Sequence, residues 1–124
     1  MGILADKLGK HRPSQEDVDK LVADLVKRIV QNCDPLAIYV FGSAANYQMT
    51  YSSDLDLCLI FADRKISLQA KTIILSQGLL RDYPIDLLFF DQAYFEAKKD
   101  LGGICFEIFH YGRSVYKKGP VHER

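Results

Sequence analysis

Residues 38–60 read IYVFGSAANYQMTYSSDLDLCLI, and the rest of the chain is arranged around them. An apolar run ends in Gly42-Ser43, about ten polar residues follow, and Ser53-Asp54-Leu55-Asp56-Leu57 opens a second apolar run. Side chains alternate across a strand, so Asp54 and Asp56 share one face, roughly 6 to 7 Å apart along the chain, while Leu55 and Leu57 take the other. Two acids at the mouth of an apolar strand fill a core poorly. They suit a divalent cation, because hard ions such as magnesium take carboxylate oxygens and keep water or phosphate as further ligands. Alone, Asp-x-Asp reads more readily as a solvated strand face or a turn. The wider combination points to a ligand: a glycine and a small hydroxyl residue directly after a strand, paired acids opening the next, and a third acid, Asp86, inside a later strand. Glycine lets backbone approach a ligand closely, and amides left free after a strand can receive phosphate oxygens. One ligand satisfies all three features: a metal-bound nucleoside triphosphate.

Outward from this stretch, Ser14 is a helix N-cap with Glu16 and Asp17 in the first turn. Val18, Leu21, Val22, Leu25, Val26, Ile29 and Val30 recur at helical spacing, predicting a helix to about Asn32 with one buried stripe. Asp34-Pro35 stops it and leads into a strand over Leu36 to Phe41, apolar enough to be covered on both faces. A short helical turn is expected after Gly42-Ser43, and Tyr47 and Tyr51 read either as stacking platforms for a base or as cover for the sheet edge. The second strand is expected over Asp54 to Phe61. A second helix follows, N-capped at Ser67, with Leu68, Thr72, Leu75 and Leu79 as its apolar face. The third strand, Ile85 to Phe90, buries an acid, Asp86, which requires a cation or hydrogen-bond donors to offset desolvation, an arginine partner being the structural alternative. Asp91 caps a helix to Asp100, Gly102-Gly103 interrupts, and a helix from Ile104 to about His110 ends at Gly112 in a left-handed cap. Ser114 to Tyr116 reads as an edge strand. His11, His110 and His122 lack paired ligand spacing and read as surface or helix-end residues.

The chain of 124 residues is one domain's length, 48% hydrophobic and 26% charged, with zero formal net charge. Neutrality argues against coating nucleic acid by charge alone. Cysteines at 33, 58 and 105 form neither a disulfide framework nor a zinc pattern, and Cys58 and Cys105 read as small apolar residues in a reducing compartment. No apolar run reaches the ~18 residues of a membrane span and the N-terminus lacks a signal segment, so a cytoplasmic protein is expected. The division expected is a loosely held lead-in over 1–13, a domain over 14–116 and a polar tail over 117–124. The fold class expected is α/β (α+β), one mixed sheet with helices mainly on one face.

In the order Gly42-Ser43, spacer, Ser53-Asp54-Leu55-Asp56-Leu57 and Pro84-Ile85-Asp86-Leu87-Leu88, the chain resembles the nucleotidyltransferase superfamily typified by DNA polymerase beta. Its length is similar to that of the minimal nucleotidyltransferases paired with helical HEPN proteins as antitoxin and toxin. The resemblance spans about Leu36 to Phe90, with one departure: the family's spacer carries a basic residue and a glycine where this chain has Asn46 and Tyr47.

The resemblance implies a palm-like fold and two magnesium ions held by Asp54, Asp56 and Asp86, with Asp86 also helping to deprotonate the acceptor hydroxyl. It implies that Gly42, Ser43 and Ser53 contact the nucleotide and that AMP passes from ATP to a hydroxyl with release of pyrophosphate. The acceptor site would be completed by a HEPN-type partner or a second copy of the chain. Two other readings stay open: a non-catalytic module that neutralises a partner by occlusion, and a small-molecule nucleotidyltransferase of the aminoglycoside-modifying kind.

Overall fold

The computed structural model describes residues 13–48, 50, 53–80 and 84–119. The expectations for the lead-in before Pro13, for Tyr51, His11 and His122, and for the end of the tail lie outside these residues. Helix α1 spans Gln15–Asn32, its Ser14 cap accepting a hydrogen bond from the Asp17 amide. It leads into β1 (Ala37–Phe41), a 3₁₀ turn (Gly42–Ala44), β2 (Leu55–Phe61), α2 (Arg64–Gln77) and β3 (Ile85–Asp91). Two short helices, α3 (Gln92–Lys98) and α4 (Ile104–Tyr111), precede β4 (Arg113–Lys117).

The sheet is mixed, in the order β3-β2-β1-β4. Strand β1 pairs antiparallel with β2 and β4, whereas β2 and β3 run parallel, which demands a crossover that α2 supplies. The period-2 pattern sorts the side chains between two cores. Leu55, Leu57, Leu59 and Phe61 of β2 meet Ile38 and Val40 of β1 beneath the α1 stripe Val18, Val22, Leu25 and Ile29. On the opposite face Ala37, Tyr39, Cys58 and Ile60 pack with Phe95 of α3 and with Cys105 and Ile108 of α4. The two long helices thus share one face and the two short ones cover part of the other. Asp56 and Asp86 belong by parity to this second face.

Several local expectations are corrected. Helix α2 is capped by Asp63, whose carboxylate accepts from the Ile66 amide, and Ser67 sits inside the helix and is buried. Its buried face is Ser67, Ala70 and Ile74, whereas Leu68 and Leu75 are 53% and 65% exposed. The helix is capped four residues earlier than expected, and Ala70 and Ile74, four apart, form the stripe that meets the sheet. Gly78, at φ 58°, supplies a left-handed cap that the sequence reading assigned instead to Gly112. Gly112 has extended backbone (φ −80°), and its glycine is required by space: a Cβ there would collide with the Ile108 carbonyl and press on that of Val40. The chain beyond β4 stays tied at Lys118, whose amide donates to Leu36 O and whose ammonium pairs with Asp34.

Candidate active site

Strand β2 begins at Leu55, one residue later than expected, so Asp54 stands just outside it and is exposed. Ser53 closes the turn in front of it: its hydroxyl accepts from the Thr50 amide at 2.9 Å and its amide donates to Thr50 O. The Ser53 oxygen is therefore engaged in shaping the approach to Asp54.

Asp56 and Asp86 occupy paired positions on the parallel strands β2 and β3. Both side chains face the sheet surface left open beyond α3 and α4. Asp56 is half-buried because β2 is an inner strand. Asp86 is exposed because β3 is an edge, so the desolvation expected for it falls on Asp56 instead. Burial, then the Asp86 and Asp54 charges, then a hydrogen bond from the protonated Asp56 carboxyl to Asp86 hold the Asp56 carboxyl above the usual carboxylate range.

Gly42 ends β1 at φ 70°, a conformation open to glycine and strained for other residues. A Cβ on it would collide with Asp56 Oδ2, so the loop and the acid pair form one site that only glycine admits. Ser43 follows, half-buried. Beside it a cleft of about 390 Å³ opens between Gly42, Ser43 and Asn46 on one wall and Ile104, Glu107 and Tyr111 of α4 on the other. Sequence reading did not assign α4 to the site. The available signal was the spacing of those residues, three and seven apart on one helix face.

Tyr47 lies on the opposite side of the loop. Its hydroxyl donates to Asp19 of α1 at 2.9 Å and its ring lies 4.6 Å beneath the Arg113 guanidinium, so it braces the loop against scaffold. That bond to Asp19, with burial second, holds the Tyr47 phenol above its ordinary value. Tyr47 itself has φ 59°, the left-handed conformation that glycine adopts readily.

The acid pair has the chemistry of a seat for a divalent ion. Its donors are hard carboxylate oxygens, and the raised Asp56 carboxyl marks a place where a positive charge would relieve repulsion. Among the described residues no three His, Cys, Asp or Glu side chains gather into a metal-holding group, while the Asp86 and Asp54 charges both act on Asp56. The pair fits an ion that keeps water and phosphate oxygens as its other ligands. Cys58 offers no competing chemistry: burial, with Cys105 nearby, pushes its thiol up to about 12.

The family model described as "Polymerase beta, Nucleotidyltransferase" matches residues 24–120, a span that takes in the glycine turn, all three acids and β4. The chain belongs to this nucleotidyltransferase family. No match was found among curated proteins. Among solved structures, a Sulfolobus solfataricus protein assigned as a nucleotidyltransferase is similar at TM-score 0.55 and 19% identity, covering 84% of each chain, a likeness of fold. Two toxin–antitoxin structures are also similar. The MntA–HpeT complex matches at TM-score 0.46 and 14% identity, over 85% of this chain and 77% of that one. The Shewanella oneidensis complex of a tri-AMPylated HEPN toxin with its MNT antitoxin matches at TM-score 0.41 and 15% identity, over 85% and 74%. For this family member, no helix among the described residues is long and apolar enough to cross a membrane.

Proposed function

We propose that this family member is an active metal-dependent nucleotidyltransferase that moves AMP from ATP to a hydroxyl on a protein partner of the HEPN type. The observation that carries the reading is the Gly42–Asp56–Asp86 constellation: two carboxylates in register on parallel strands, with a left-handed glycine set directly against one of them.

Asp56 and Asp86 hold the magnesium, with Asp54 adding charge at the mouth of the site. When bound, magnesium neutralises phosphate charge and helps to orient the triphosphate for in-line displacement. Gly42 and Ser43 receive the β and γ phosphates through a backbone amide and a hydroxyl, and Ser53 supports the nucleotide side by fixing the turn into Asp54. Asp86, the exposed member of the pair, accepts the proton of the acceptor hydroxyl. The acceptor oxygen bonds to the α-phosphorus, the bond from that phosphorus to the bridging oxygen breaks, and pyrophosphate leaves. The shallow cleft along α4 leaves the acceptor side of the site for a partner or a second copy to complete. Incubation with α-labelled ATP, magnesium and candidate partners should label a partner protein; ATP labelled only at the γ position should not label it.

A second reading, an occlusion module without catalysis, is favoured by one observation. Tyr47 occupies a left-handed position with scaffold contacts where the family has glycine. Neutralisation of a partner that survives Asp56→Asn intact would select it.

A further inference from the structure

The loop between β1 and β2 has two sides. Gly42, Ser43, Asn46 and Gln48 line the cleft, while Ala44 is buried and Tyr47 packs toward α1. From β4, nearly seventy residues further along the chain, Arg113 reaches this second side. Its Nε donates to Ala45 O at 3.2 Å and an Nη to Ala44 O at 3.3 Å. The other Nη lies 3.5 Å from Asp19 Oδ1, the oxygen that also accepts the Tyr47 hydroxyl. The guanidinium plane covers the Tyr47 ring, so one arginine joins β4, α1 and two successive loop carbonyls.

We propose that Arg113 is a positioning residue that fixes the polarity of the Gly42–Gln48 loop. A carbonyl oxygen turned toward a phosphate repels it, whereas an amide attracts it. By holding the Ala44 and Ala45 carbonyls on the α1 side, Arg113 keeps these two backbone acceptors turned away from the cleft. A left-handed non-glycine residue persists only where its surroundings over-determine it, and Asp19 and Arg113 supply that constraint at Tyr47. The five donors of a planar guanidinium are needed for these simultaneous contacts, and an ammonium cannot reproduce them. What the ordered loop receives, a triphosphate, rests on the nucleotidyltransferase reading. The clamp itself does not.

The test compares wild type, Arg113→Met and Arg113→Lys by amide hydrogen exchange and by titration with magnesium-ATP and with AMP. Loss of two hydrogen bonds predicts exchange about tenfold faster across residues 43–48 in Arg113→Met, with β1 and β2 still protected. Arg113→Lys should fall between the two. Affinity for magnesium-ATP should drop by about tenfold in Arg113→Met, and that for AMP, which lacks the outer phosphates, should not. Unchanged exchange at 43–48, or faster exchange spread evenly over the whole sheet, overturns the proposal. Faster local exchange in a protein whose wild type binds no magnesium-ATP upholds the clamp and overturns the nucleotide reading alone.

Discussion

Gly42 lies against the Asp56 carboxylate so closely that a Cβ would displace it, and its left-handed backbone disfavours one as well. Gly42→Ala therefore meets two obstacles at once. It is expected to lower stability by about 1–3 kcal/mol, through backbone strain and displacement of Asp56, and to abolish magnesium-ATP binding. Denaturant unfolding and calorimetry on the same preparation separate the two effects.

The Asp56 carboxyl, raised by burial and by its acidic neighbours, gives the fold a defined pH dependence. Protonation favours the folded state here, so this stability is fully present below the ordinary carboxylate value of 3.8 and is lost as pH rises through the raised folded value. At neutral pH, with EDTA present, Asp56→Asn should unfold at a higher urea concentration than wild type. The gap should close on acidification and narrow when magnesium is added to wild type. An Asp56→Asn protein less stable than wild type at pH 7 in EDTA would contradict the account.

Helix α2 provides a contrast between residues of similar apolar character. Ile74 is buried against the sheet, and Leu75 beside it is solvent-exposed. Ile74→Ala should cost about 2–5 kcal/mol, while Leu75→Gln and Leu68→Gln should each stay within about 0.5 kcal/mol, by equilibrium urea unfolding.

Gly112 tests the steric explanation of a helix end. Because its backbone is extended, Gly112→Ala carries no left-handed penalty, but the added methyl would strike the Ile108 carbonyl. A loss of about 1–3 kcal/mol is expected. At Gly78, which is left-handed, replacement by Asn should be tolerated better than replacement by Ala.

Much of this was legible in the sequence because period and punctuation carry the information. The α1 stripe, the Ser14 and Asp91 caps, the apolar β1 and the edge strand β4 all lie where residue pattern places them. The family was legible as a resemblance in the glycine turn and the acid motifs, and the mixed sheet in the order of the elements. Sequence misjudged α2 because Leu68 and Leu75 are as apolar as core residues, and which helix face meets the sheet is decided by packing that the helix's own pattern does not encode. It also assigned desolvation to Asp86, since a strand's residues do not reveal whether it is an edge. Arg113 was missed because its contacts join distant segments, and the spacing of Ile104, Glu107 and Tyr111 shows that they share a helix face without showing what that face meets.

The most direct measurement is calorimetric titration of magnesium-ATP into the purified protein, alone and with a partner, with Asp56→Asn and the Asp54→Asn, Asp56→Asn double variant as controls. The account predicts binding by wild type that requires magnesium and disappears in both variants while their folds persist. Binding that survives loss of the acids, or no binding by wild type under either condition, would contradict it.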